Sequence, residues 1–332
     1  MKVLVTGAGG FVGRHLVGQL VARGDEVVGV DRDLGADWPA ALRGVTASVT
    51  DAAAMRAAAE GCDAVVHAAA VTGLWAPDPR IFERVNLGGT ETVLAAAATA
   101  GATRAVLVSS YTTLIAGARS DPETEVDETL ELAPEALLGA YPASKRRAEL
   151  AAAGGPLPAA IVLPSAPVGP GDRTPTPPGA LLRDLANGAI PAMISCGWNL
   201  IDVRALASGV LAALDRGIAG RRYLLVGEDM DTGAFLAAFE RVSGVPGPRA
   251  RVPYRVALTA ARVEAGMAGL TGRPPRAPLT GVRLAGPWRR FSGARAAEEL
   301  DFRAPPVEDA LRAALLWMRE RGMLTRDLPG LG

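Results

Sequence analysis

The segment Tyr141-Pro142-Ala143-Ser144-Lys145 places a phenol and an ammonium at positions i and i+4, which share one face of a helix. A free tyrosine titrates near pH ~10 and exchanges protons poorly at neutral pH; a nearby ammonium lowers that value. The pair therefore reads as a general acid/base, Tyr141, tuned by Lys145. The bland alternative is an exposed i,i+4 pair. Lysine usage argues against it. Of 35 basic residues only Lys2 and Lys145 are lysines, and every other positive charge is arginine. A compact ammonium with rotatable donors was kept at position 145, where a planar guanidinium would behave differently. Pro142 is tolerable only if the helix begins about there or is locally distorted.

The second chemistry-bearing stretch is Thr6-Gly7-Ala8-Gly9-Gly10-Phe11-Val12-Gly13, between an apolar strand and a helix. Gly7 permits a tight turn, Gly10 a close approach of backbone to pyrophosphate, and Gly13 close helix–sheet packing. The free N–H groups of Phe11, Val12 and Gly13 would face an anion at the helix N-terminus. Asp31, about 20 residues after the loop, is placed to bind adenosine ribose hydroxyls and to repel a 2′-phosphate. That favours NAD over NADP. Arg32 could turn toward a phosphate, which keeps NADP open.

The elements needed to hold these residues are legible. Strands are read at Lys2–Thr6, Glu26–Asp31, Ala64–Ala68, Ala105–Ser109 and Ala160–Leu163, and helices at Phe11–Ala22, Ala52–Glu60, Pro79–Ala100 and Pro134–Ala153. Continuous apolar strands alternating with helices indicate an α/β fold: a doubly wound parallel sheet of Rossmann type, covered on both faces. After Pro164 the alternation weakens and Pro and Gly become frequent. Tyr223–Val226 could return one strand to the sheet, and Val307–Arg321 is helical. We read 1–163 as a dinucleotide-binding domain and 164–332 as a smaller C-terminal substrate lobe interwoven with the sheet. The acidic segment Asp121–Glu131 reads most simply as a solvated loop, with a substrate lid as the alternative.

Composition excludes several classes. Thirty-five basic and 35 acidic residues give no net charge, which argues against nucleic acid as a partner. No apolar run approaches the ~18 residues of a membrane span. Two histidines, His15 and His67, and two cysteines, Cys62 and Cys196, are too few for a metal site or a disulfide framework, so no metal is expected and a reducing cytoplasm is the natural compartment.

The chain resembles the extended short-chain dehydrogenase/reductases, also called the NAD-dependent epimerase/dehydratase family. The resemblance runs through Thr6–Gly13, Asp31, His67-Ala68-Ala69-Ala70, Asn86 with Gly89-Thr90, Ser109-Ser110, Tyr141-x-x-x-Lys145, Val168-Gly169-Pro170 and the closing Ser292…Glu299-Leu300-Asp301-Phe302. Leu74–Pro79 and Pro164–Pro170 look most like dihydroflavonol-reductase-type members and the hopanoid-associated sugar epimerases. The resemblance implies that a hydroxyl after the fifth strand holds the substrate oxygen: Ser110, Thr112 or Thr113, with Ser110 aligning best. It also implies that Ser48 and Val49 lie at the adenine, that Ala68, Ala69, Ala70 and Asn86 line the cofactor, that Pro164 and Ser165 flank the nicotinamide, and that the protein forms a homodimer. His67 reads as a packed strand-end residue.

Three functions compete. The first is an NAD(P)-dependent ketone reductase or alcohol dehydrogenase acting on an apolar, polycyclic or terpenoid small molecule. The second is a nucleotide-sugar epimerase or dehydratase with tightly held NAD. The third is a non-catalytic NAD(P)-sensing regulator, which would need no Tyr–Lys pair. Ser165-Ala166-Pro167-Val168 offers few donors after the sixth strand, since Ala166 and Pro167 have no polar side chain and Pro167 has no N–H. That favours an apolar pocket, although Arg183 or Arg204 could still bind a diphosphate.

Overall fold

A computed structural model describes residues 1–117, 125–286 and 289–332. Apolar runs rich in Val, Leu and Ile form the strands β1 (Lys2–Thr6), β2 (Glu26–Asp31), β4 (Ala64–His67), β5 (Arg104–Val108), β6 (Ala160–Pro164) and β7 (Arg222–Leu225), and the largely exposed Arg43–Thr46 adds the edge strand β3. They make one sheet in the order β3-β2-β1-β4-β5-β6-β7. All its pairings are parallel. Such strands must be buried on both faces, which explains why they carry no polar alternation. Successive strands are added outward on one side of β1 up to β3 and on its other side from β4 onward, and that switch point opens a crevice at the carboxyl ends of the strands.

The helices, in chain order, are α1 (Phe11–Ala22), α2 (Ala52–Ala59), α3 (Gly88–Thr99), α4 (Ala140–Gly154), α5 (Pro177–Ala186), α6 (Val203–Arg216), α7 (Thr232–Ser243), α8 (Tyr254–Thr271), α9 (Leu279–Ala285), α10 (Ala294–Leu300) and α11 (Val307–Glu320). One face of the sheet buries α2, α3 and α4, with Met55, Leu94 and Ala148 in the core. The other face buries α1 together with α6 and α10 from the second half, through Leu16, Leu20, Val210, Leu214 and Leu300. A separate core joins α5, α7 and α11 around a three-stranded sheet of Ala166–Val168, Gly197–Asp202 and Glu228–Asp231.

Two readings of local structure are corrected. The helix expected over Pro134–Ala153 is a short turn at Pro134–Ala136 followed by α4 from Ala140. Gly139 separates them at φ +126°, a conformation that L side chains rarely adopt. Asp121, Pro122, Glu123 and Thr124 lie outside the described residues, but Glu125–Glu131 is not a solvated loop. Glu125–Val126 pairs in parallel with Arg290–Phe291. Glu128 is buried and accepts the N–H of Leu224 at 2.6 Å. Burial pushes its carboxyl above the usual range.

Candidate active site

A single cavity of about 1130 Å³ occupies the crevice. One end is built from backbone. The helix α1 starts at Gly10 with no side-chain cap, and Phe11, Val12 and Gly13 in its first turn line the cavity. First-turn N–H groups have no partner inside their helix, so they are available to an anion. The loop is packed too tightly for side chains. A Cβ on Gly13 would lie 1.9 Å from the Gly7 carbonyl oxygen, and one on Gly7 would lie 2.7 Å from the Ala69 nitrogen. Asp31, at the end of β2, accepts the N–H of Gly9 at 3.0 Å and of Asp33 at 3.2 Å. Its carboxylate is thereby fixed at the cavity wall beside the exposed Arg32. Ser48, Val49, Ala68, Ala69 and Ala70 also line this wall.

The Tyr–Lys pair stands at the middle. Tyr141 is the second residue of α4, and Pro142 therefore sits in the first turn, where its missing N–H costs no helical bond. Lys145, 3% exposed, donates to the Val108 carbonyl at 2.6 Å, which clamps α4 to the end of β5. Ser110, just beyond that strand, lies close enough to the Tyr141 phenol to favour its ionised form. Thr112 donates its hydroxyl to Ser110 Oγ at 2.9 Å. Thr113 is fully buried, donates to the Ser110 carbonyl and does not line the cavity. The electrostatics differ from the sequence expectation. Burial raises the Tyr141 pKa above its ordinary 10, opposed by the Ser110 hydroxyl, and Lys145 is not among the causes. The ammonium is directed at Val108 instead. Burial lowers Lys145 to about 8, with Glu149 opposing.

Beneath the pair lies a buried ionic cluster that sequence reasoning missed. Glu149 accepts Ser109 Oγ at 2.5 Å and pairs with Arg146 at 3.0 Å. Arg222 Nε approaches Glu149 at 3.2 Å without the alignment of a hydrogen bond, while its Nη1 donates to the Glu128 and Leu130 carbonyls. The cluster ties β5, α4 and β7 together. Its members are far apart in sequence, and no local signal marks them. Arg14 was missed for the same reason. It donates to the Gly9 and Leu34 carbonyls and pairs with Asp37 at the adenosine end.

Asn86 was expected to line the cofactor, and it does not line the cavity. It lies in a π-helical turn, Glu83–Leu87, that rotates its amide inward. There it donates to Val71 O and Ser144 Oγ and accepts the Val71 N–H, so its hydrogen-bonding groups are used. His67 is packed. It bonds Thr6 at 2.6 Å and Thr90 at 3.1 Å, and burial, then Lys145, lowers its pKa to about 3.

At the far end, Pro164 and Ser165 line the wall. Ser165 Oγ is 2% exposed and has no hydrogen-bond partner among the described residues. A buried hydroxyl without a partner is costly, and a polar ligand in the cavity would satisfy it. The glycine cradle, the Asp31 carboxylate and this hydroxyl together fit a dinucleotide lying along the crevice. Beyond them the wall carries the apolar side chains of Leu74, Ile81, Pro167, Leu181, Trp198 and Val282, with Thr72, Arg84, Thr176 and Asn199 among them.

A model described as the NAD dependent epimerase/dehydratase family matches residues 3–225. A Synechocystis sp. protein provisionally named dihydroflavonol 4-reductase is 34% identical, covering 96% of this chain and 94% of its own length. Sterol demethylase protein B of Methylococcus capsulatus is 31% identical, covering 98% and 100%. A Stigmatella aurantiaca ketoreductase, named for a 4-hydroxy-2-methyl-3-oxo-4-farnesyl-3,4-dihydroquinoline-1-oxide, is 32% identical over 86% of this chain and 85% of its own. Among solved structures, gox2253 superposes with a TM-score of 0.84 at 31% identity, covering 98% and 99% of the two chains.

Proposed function

Since this chain belongs to the NAD-dependent epimerase/dehydratase family, we propose that it is a ketone reductase or alcohol dehydrogenase acting on an apolar, polycyclic or terpenoid molecule. The observation that carries this reading is the apolar far wall. The two arginines left open by the sequence are engaged elsewhere: Arg204 with Asp202 and Arg183 with Asp184, and neither lines the cavity. Asn199 does line it, but its amide is spent on Gly227 and Asp229. The names of two relatives, one a sterol demethylase protein and one a ketoreductase named for a farnesyl-bearing quinoline oxide, accord with an apolar substrate.

NAD would lie with its pyrophosphate on the Gly7–Gly13 loop, its adenosine ribose at Asp31 and its nicotinamide near Pro164 and Ser165. When bound, it supplies hydride exchange. Tyr141 then gives its phenolic proton to the substrate carbonyl oxygen during reduction, or takes it from the alcohol during oxidation. Ser110 holds that oxygen and stabilises the phenolate by donating to it; Thr112, donating to Ser110, orients its hydroxyl. Lys145 fixes α4 against β5 and offers its remaining N–H donors to the ribose. The apolar wall excludes water, which strengthens these bonds.

Arg84, exposed at the rim near Asp78, is the feature favouring a nucleotide-sugar epimerase instead. Thermal-shift and turnover assays separate the two. Aromatic or terpenoid ketones and alcohols are expected to stabilise the protein or be turned over with NAD(H), and millimolar UDP- or dTDP-hexoses to do neither. Epimerisation of a nucleotide sugar would reverse the assignment.

A further inference from the structure

Charge is balanced over the whole chain but not along it. Residues 249–283 carry seven arginines and one acid, Glu264, leaving 28 basic and 34 acidic residues elsewhere. None of the seven has an ion-pair partner among the described residues. They are Arg249, Arg251, Arg255, Arg262, Arg273, Arg276 and Arg283.

The same arm carries an uncovered apolar stripe. On α8, Val256, Ala260, Val263, Met267 and Leu270 recur at spacings of four, three, four and three, so they lie along one face. Val256 is 58% exposed, Val263 59%, Met267 53% and Leu270 90%. Four of the eight large apolar side chains exposed among the described residues are on this one helix. The opposite face, through Ala261 and Ala268, is buried. Arg255 and Arg262, seven residues apart, border the stripe along one flank, and Arg251 and Arg273 stand just beyond its two ends.

An apolar face edged by unpaired arginines matches the interface of an anionic bilayer. Leucine, valine and methionine side chains enter the acyl boundary, while guanidinium groups remain at the phosphate level on their apolar stems. A water-facing helix would not carry this stripe, and a second copy docked arm to arm would bring no acids to pair these arginines. The arm also forms part of the cavity. Ala277, Pro278, Gly281, Val282, Leu284 and Ala285, on α9 and the segment before it, line the wall. Thr280 packs on Gly139 at the start of α4, next to Tyr141.

We propose that the 249–283 arm docks this protein on an anionic lipid surface, laying α8 in the interface with the cavity wall at its back. Passage of substrate from bilayer to cavity rests on the apolar-substrate reading above; the docking does not.

Vesicle flotation tests it without any turnover measurement. The full chain is mixed with vesicles of phosphatidylcholine alone and with vesicles of phosphatidylcholine mixed with phosphatidylglycerol, whose anionic surface attracts basic segments. The protein is expected to float with the anionic vesicles, and the bound fraction to fall as salt rises. Met267→Asp/Leu270→Asp is expected to lower partitioning at least tenfold. Arg255→Glu/Arg262→Glu should do the same, each arginine being worth about fivefold near an anionic surface. Both pairs lie outside the cavity, so NAD affinity and melting temperature should hold and serve as the folding control. Equal flotation with and without phosphatidylglycerol, or variants floating like the wild type, would overturn the proposal. So would a vesicle-independent dimer that Met267→Asp/Leu270→Asp dissociates, which would make the stripe a contact between copies of this chain.

Discussion

The two ends of the cavity are built by different means. The glycine-loop end is backbone: a turn of glycines, the open first turn of α1 and a carboxylate held by two N–H groups. The far end is side chains, contributed by α5, by the strand Gly197–Asp202 and by α9. Backbone chemistry is the same for every residue, so it can serve one invariant ligand group and tolerates almost no substitution. A wall of apolar side chains can be reshaped residue by residue. Tyr141, Ser110 and Lys145 stand between the two, on the first turns of α4 and just beyond the interior strand β5. One fold can thus keep its cofactor while changing its substrate.

Substitutions at the border and at each end test this contrast. The largest effect is expected at the border. Tyr141→Phe removes only the proton donor, so turnover should fall ~10²–10⁴-fold while NAD affinity, by calorimetry, stays within about twofold. A variant retaining more than half the wild-type rate would dissolve the division of labour.

At the backbone end, Gly13→Ala should abolish measurable NAD binding and lower the melting temperature, because its Cβ would lie 1.9 Å from the Gly7 oxygen. Gly10→Ala meets that oxygen only at 3.2 Å and should lower the melting temperature far less, its cost falling on NAD binding through the approach of backbone to pyrophosphate. If the two lower the melting temperature alike, steric closeness within the loop is not what Gly13 relieves.

The third test is pH. Lys145 titrates near 8 in the folded protein, lowered from 10.5 by burial. Its ammonium is present at pH 7 and is lost as pH rises past about 8. NAD(H) affinity should therefore weaken across that range, by about tenfold if one charge-assisted bond is lost. Lys145→Met should be weak throughout and show no such slope.

The smallest effect concerns Asp31. The wild type should bind NAD(H) more tightly than NADP(H), and Asp31→Ala should narrow the preference severalfold. Tighter NADP(H) binding by the wild type would give Arg32, not Asp31, control of that corner.

Glycine spacing, the Tyr-x-x-x-Lys motif and unbroken apolar strands determined the parallel sheet and the family. Each is written within one strand–turn–helix unit, where backbone sterics and helical period act over a few residues. Contacts between units were decided only by the tertiary structure. Nothing local distinguishes Ser110 from Thr113, yet packing turns one to the phenol and the other into the core. Asn86 had the expected position but was rotated inward by a π-helical turn. Helix α6, unread in the sequence, covers α1 because that apolar face needed a partner from the second half. The ammonium of Lys145 went to the Val108 carbonyl and not to the phenol four residues before it. A buried cation takes the acceptor that strand geometry presents, and strand geometry is set by the whole sheet.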